Sequence, residues 1–179
     1  MIIPDTDVLQ TLNEKSSRLI HLFGEADAGR TLTVLSMARQ ALDNGQLPIY
    51  ILPNSMRLRR KDIPELCPVV IANTTDNLIR SLKTIIETAD VIFIDDFLQY
   101  ILHKPKKEIL AIFRALKAEA WVNQTVIVLV NDYRYLEEKG GYHPAYQEYF
   151  RRFCGAHIKV EKDEAFNIHY QFIDRKTLY

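Results

Sequence analysis

No apolar run in this 179-residue chain approaches the roughly 20 residues that a membrane span needs. The N-terminus, Met1-Ile2-Ile3-Pro4-Asp5, has no basic segment followed by an apolar core, so it does not read as a secretory leader. Neither sign of charge is in surplus. Lys plus Arg and Asp plus Glu number 23 each, which removes any global attraction to nucleic acid or membrane and leaves such binding to local patches. The two cysteines, Cys67 and Cys154, lie far apart, outside metal-ligand spacing, and read as free buried thiols. The five histidines form no helically spaced ligand pair. Internal repeats, low-complexity segments and long linkers are also missing. The expectation is a soluble protein, cytoplasmic or nuclear, without a membrane partner. Its 47% hydrophobic residues suffice for one core, and a single domain is expected over residues 1–179.

Strand and helix patterns alternate from residue 18 onward. Helical periodicity runs through Val34, Leu35, Ala38, Ala41 and Leu42, then through Leu78, Ile79, Leu82, Ile85, Ile86 and Ala89, and again through Ile109, Ile112, Phe113, Leu116 and Ala120. Between them stand short continuous apolar runs, Pro48 to Leu52, Val69 to Ala72, Val91 to Ile94 and Val126 to Val130. Such runs suit buried parallel strands covered by helices on both faces. Asn44-Gly45 closes the first helix, Thr74-Thr75-Asp76 caps the second and Pro105 opens the third. Toward the end Ile158 and Val160 alternate with charged residues, and after Lys162-Asp163-Glu164 strict alternation predicts a strand through Phe166, Ile168, Tyr170 and Phe172. The expected fold is a three-layer α/β domain, its sheet mostly parallel with a C-terminal antiparallel hairpin.

The most informative segment is Gly24-Glu25-Ala26-Asp27-Ala28-Gly29-Arg30-Thr31, lying between the apolar run Leu19 to Phe23 and the first helix. It reproduces the phosphate-loop pattern G-x-x-x-x-G-K-[ST], with Arg30 where the lysine belongs. The glycines allow positive φ and let amides turn inward, and the helix start offers unpaired N–H groups and a positive dipole end. All eight residues are therefore candidate nucleotide contacts. Arg presents a planar fork where Lys presents a compact point charge, so binding can survive while catalysis suffers. A second signature, Ala89-Asp90-Val91-Ile92-Phe93-Ile94-Asp95-Asp96, is an apolar strand ending in an acidic pair. Asp95, with Thr31, is the candidate Mg²⁺ ligand beside ATP.

In the order of these elements the chain resembles the RecA-like recombinase family over about residues 16 to 174, through the loop Gly24–Thr31, the strand ending at Asp95 and the strand Val126–Asn131. Asn131 matches the family's Asn-Gln strand end, and Asp132 replaces the Gln. The resemblance implies a RecA-like P-loop core with a short N-terminal extension at 1–15. It also implies a departure in function. Active members place a glutamate after the second core strand to activate water; Asn54 stands nearest that position, and an amide cannot accept the proton. With Arg30, Asn54 and Asp132 all departing from the pattern, hydrolysis is expected to be weak or absent. The chain is similar to divergent, minimal-core paralogues that assist a recombinase, with single-stranded DNA and a partner recombinase or paralogue subunit as partners. An active DNA-dependent ATPase and a nucleotide-independent interaction module are the alternatives.

In the family the loop after the Asn-Gln strand contacts single-stranded DNA. Here the corresponding segment, 132–152, interleaves aromatics with cations, and Tyr133, Arg134, Tyr135, Lys139, Tyr142 and Arg152 are the candidate DNA contacts. By contrast, Tyr146, Tyr149, Phe150 and Phe153 have the spacing of a helix face packed on the sheet. Of two further basic clusters, Arg57 to Lys61 reads as a solvated loop or as a phosphate or acidic-partner contact, and His103 to Lys107 falls, by the same resemblance, near the family's other DNA-facing loop or is likewise solvated.

Overall fold

The computed structural model describes residues 18–53, 63–136, 141–144 and 146–173, with backbone alone at 133–136 and 141–144. Eight strands run as β1 (Leu19–Gly24), β2 (Pro48–Leu52), β3 (Val69–Ile71), β4 (Val91–Ile94), β5 (Val126–Leu136), β6 (Gly141–Pro144), β7 (Ala156–Lys162) and β8 (Ile168–Ile173). The helices are α1 (Arg30–Asp43), α2 (Thr75–Ile85), α3 (Leu98–Ile101), α4 (Lys106–Val122) and α5 (Gln147–Phe153). In space the strands follow the order β3-β2-β4-β5-β1-β7-β8, with β6 paired to β5. The first six are parallel and β8 returns antiparallel to β7, so the α/β class, the mostly parallel sheet and the terminal hairpin all agree with the patterning.

The continuous apolar runs form buried strands because alternate residues enter two different cores. On one face Ile20, Leu22, Tyr50, Phe93, Val128 and Ile158 pack with Val34, Met37 and Ala38 of α1. On the other, Ile49, Ile92, Ile94, Ile127 and Leu129 meet α2, α3, α4 and α5. Phe113 centres that second core. Its ring stands edge-on to Phe97 and Phe150 at 5.5 and 5.1 Å and stacks with Phe153 at 5.5 Å. Such aromatic pairs contribute about 0.5–1.5 kcal/mol each beyond burial. Tyr149, Phe150 and Phe153 are therefore core residues on the buried face of α5.

Local signals set the element ends. The Thr74 hydroxyl accepts the Asn77 N–H at 3.2 Å and caps α2. Gly45, at φ +74°, follows the last turn of α1, and Pro105 occupies the cap position of α4. Two features depart from the pattern reading. The segment after Asn131 continues β5 and turns back as β6, in the register Tyr133↔Pro144, Arg134↔His143, Tyr135↔Tyr142 and Leu136↔Gly141. The β7–β8 connection is also longer than expected. β8 begins at Ile168, and Phe166 lies in the turn at φ +63°, because Asp163 gathers the turn onto itself by accepting the Asn167 N–H at 2.8 Å and its Nδ2 at 3.0 Å.

Candidate functional site: the carboxyl edge of the parallel sheet

β1 ends at Gly24, and the chain turns through Glu25–Ala28 into α1. The two glycines serve different ends. Gly24 is a strand residue; a Cβ there would sit 2.4 Å from the Val160 carbonyl oxygen of β7, so the side chain is excluded by close approach. Gly29, at φ +91°, is the residue that needs left-handed backbone, and it stands at the N-cap of α1. Asp27 is also left-handed, at φ +61°, and the Ala28 N–H closes the turn on the Glu25 carbonyl at 3.2 Å. No side chain caps α1, and its first turn holds no acidic residue. The leading amides of a 14-residue helix thus face the loop with their positive dipole end uncompensated. Arg30 and Thr31 occupy the first two helical positions, both half-buried.

Asp95 follows β4 and faces the α1 side of the sheet, only 4% exposed. The buried Tyr50 hydroxyl donates to its Oδ2 at 2.6 Å, and the Asp96 N–H donates to its Oδ1 at 2.9 Å. Burial pushes the Asp95 carboxyl up from its ordinary range, while the Tyr50 bond, the Asp96 amide and the charge of Arg30 pull it back down. Burial, and then the charge of Asp95, holds the Tyr50 hydroxyl well above its usual value. Sequence reading missed Tyr50, because within Pro48–Leu52 it is one more member of a buried run.

β5 lies between β1 and β4, so the end of its sheet-paired part falls between the loop and the acid. Register sets Asn131 beside Phe23 and Asp132 beside Gly24. The Asn131 Oδ1 accepts the Leu98 N–H at 3.1 Å and the Val130 carbonyl accepts the Phe97 N–H at 3.0 Å, which pins the β4–α3 turn onto β5. Asn131 is 1% exposed, and its Nδ2 has no hydrogen-bond partner among the described residues.

A cleft of about 310 Å³ opens between this loop and the β7–β8 turn, lined by Asp27, Gly29, Leu32, Lys162, Ala165, Phe166, Asn167 and Ile168. Two apolar side chains are left in the open here, Leu32 at 41% and Phe166 at 71% exposure. The Lys162 ammonium stands 4.5 Å from the Phe166 ring centroid. The turn is stiffened by Asp163, whose carboxyl is pulled down to about 2 by the bond to His169 and by two from Asn167. None of this was legible in sequence, since Phe166 continues the strand alternation.

The nucleotide candidates Gly24 to Thr31 thus form one continuous strand–turn–helix junction, with Asp95 just past β4 and Asp132 on β5 opposite Gly24. Asn54, Lys139 and the cluster Arg57–Lys61 lie outside the described residues. Tyr133, Arg134, Tyr135 and Tyr142 fall on the β5–β6 ribbon. Arg152 is apart from them, exposed on α5, its guanidinium 5.5 Å from the Phe153 ring centroid. In the remaining basic cluster Lys104 pairs with Glu108 at 3.2 Å.

Of the two metal candidates, Asp95 offers a divalent cation little as it stands. Both Asp95 oxygens already accept protein hydrogen bonds in a nearly dry setting. Among the described residues no group of three or more His, Cys, Asp or Glu is placed to hold a metal ion, and no helix is long and apolar enough to cross a membrane. Comparison with protein-family models and with curated proteins returns no match for this chain.

Proposed function

We propose that this protein is a RecA-like accessory factor of DNA recombination or repair, which takes a nucleotide with weak or no hydrolysis and engages single-stranded DNA and a partner recombinase. One arrangement carries the reading: the G-x-x-x-x-G-R-T loop, Asp95 and the root of the β5–β6 ribbon share the carboxyl edge of a parallel sheet. Open α/β sheets bind ligands in the crevice outside that edge. The amides at the head of α1 and the Arg30 guanidinium would take the phosphates. The cleft beside the loop offers Leu32 and the Phe166 ring to a planar base. Weak turnover follows from Arg30 in place of lysine, from Asp132 in place of a neutral amide and from Asn54, which cannot accept a proton. The ribbon supplies Tyr133, Arg134, Tyr135 and Tyr142 to the nucleic acid.

The deciding experiment measures nucleotide binding and single-strand binding by the purified chain at two salt concentrations. Binding of both with background turnover supports the proposal, and vigorous DNA-stimulated turnover replaces it with an active DNA-dependent ATPase. Binding of neither leaves a nucleotide-independent interaction module. One observation favours that second reading: the short edge strand β3 exposes Val69 at 38% and Ile71 at 62%, beside Leu66 at 75%. Among the described residues no further strand lies beside β3, and such an apolar edge invites strand addition by another chain.

A further inference from the structure

The Arg30 substitution and the Tyr50–Asp95 bond bear on the same question, which is where the positive charge at this site comes from. In a phosphate loop of the ordinary kind, a lysine and a Mg²⁺ ion share the neutralisation of the terminal phosphates, and the strand-end carboxylate helps to hold the ion. Mg²⁺ demands near-octahedral oxygen coordination and gives up its waters reluctantly. Asp95 offers such an ion little. It is 4% exposed, its Oδ2 is taken by the Tyr50 hydroxyl at 2.6 Å and its Oδ1 by the Asp96 N–H at 2.9 Å. Each oxygen keeps a second acceptor site, but a hydrated ion would have to reach a carboxylate almost sealed from solvent. Losing the Tyr50 bond would leave a 0% exposed hydroxyl unpaired, so the tyrosine holds the carboxylate where it is.

Arg30 is built for the opposite task. It is the first residue of α1, directly after left-handed Gly29, and its charge already acts on Asp95. A guanidinium keeps its charge at any ordinary pH and presents paired donors that match two phosphate oxygens at once. With the uncapped amides of α1 beside it, Arg30 gives the loop donors for the oxygens of a polyphosphate.

We infer that this loop takes a polyphosphate without a divalent cation, Arg30 supplying the charge and Tyr50 acting as a positioning residue that keeps Asp95 closed to the metal. The inference rests on the nucleotide-binding reading above and specifies how that binding is achieved.

The test uses the full chain with ADP and, separately, inorganic pyrophosphate as probes, titrated calorimetrically in MgCl₂ and in EDTA at equal ionic strength. The expected result is the same affinity in both buffers. Tyr50→Phe, which frees one Asp95 oxygen while preserving the ring, should bind more tightly in MgCl₂ than in EDTA. Arg30→Gln should lose about tenfold or more in affinity in both buffers. If EDTA weakens the parent protein by about tenfold or more, the inference is overturned while the nucleotide reading stands. If the parent binds neither probe in either buffer, the nucleotide reading falls and takes the inference with it. A folded Tyr50→Phe that stays indifferent to Mg²⁺ removes Tyr50 from its role. Should that variant fail to fold, the parent protein in the two buffers and Arg30→Gln still decide.

Discussion

A Cβ on Gly29 would lie 2.4 Å from the Ile168 Cδ1 and 2.8 Å from its Cγ1, so the head of α1 and the start of β8 are pressed together at a point where only glycine fits. Gly29→Ala combines that clash with left-handed backbone at φ +91° and should cost about 1–3 kcal/mol of stability, read from urea midpoints. Ile168→Ala opens space on the other side of the contact. The double variant should therefore lose less than the sum of the two single losses. Simple additivity would show that the two residues do not constrain each other.

The pH dependence of stability should carry the signature of His21. Its ring is 0% exposed, stacked 3.9 Å from Phe150 and 4.6 Å from Phe23, with His157 edge-on at 5.7 Å. Burial, and then the charge of His157, lowers the His21 pKa well below its ordinary 6.5. The unfolded chain therefore binds the proton more readily than the folded one. Stability is full above the unfolded value and is lost as pH falls through about 6.5, by at most about 1.4 kcal/mol per pH unit for one proton. Urea midpoints across that range should show the slope, and His21→Leu should flatten it. A parent protein equally stable on both sides of the range would refute the assignment.

Arg30→Ala should leave the urea midpoint close to that of the parent while removing phosphate affinity, because the side chain stands only half-buried at the head of α1. ATP turnover by the parent should sit near background, since a proton-abstracting group contributes about 10²–10⁴-fold in rate and Asn54 cannot supply it. Robust DNA-stimulated turnover abolished by Asp95→Ala would contradict this.

Phe166→Ala should separate base from phosphate recognition. The ring is exposed and contributes little to the core, so stability should hold. ADP binding should weaken while pyrophosphate binding stays as it is. Equal weakening of the two probes would mean that the turn acts on the loop and not on the base.

Within the candidate DNA segment 132–152, cations and rings should fail differently. Replacing Arg134 and Lys139 by Ala should lower the log–log salt slope of single-strand binding by about 0.7 for each phosphate no longer neutralised. Replacing Tyr135 or Tyr142 should cost about 1–3 kcal/mol per stacked base with little change in slope. Unchanged affinity in folded variants would remove the ribbon from the DNA interface.

Much of the architecture could be read before any coordinates because it rests on local regularities. Val91–Ile94 and Val126–Val130 are apolar at every position, the mark of strands covered on both faces, and Thr74 and Pro105 announce the helices they cap. The candidate loop was visible as a spacing of two glycines, although the reason for Gly24 was not, since the carbonyl that excludes a Cβ belongs to Val160, far along the chain. What stayed hidden depends on partners distant in sequence. Tyr50 looks apolar until Asp95 is set beside it, 45 residues on. β6 is four residues long and exists through its pairing with β5, and α3 is a single turn pinned by Asn131. The cleft has walls from the two ends of the chain, and no linear pattern records it.

β5 is a single strand of 11 residues, about 37 Å of extended backbone. Its first half is clamped between β1 and β4, and its second half leaves the sheet with β6 as its only described strand neighbour. The clamp ends where Asn131 and Asp132 sit, one bonded to the turn behind Asp95 and the other level with Gly24. A pull on β5 beyond the clamp is thus passed along one continuous strand to the groups around Gly24–Thr31.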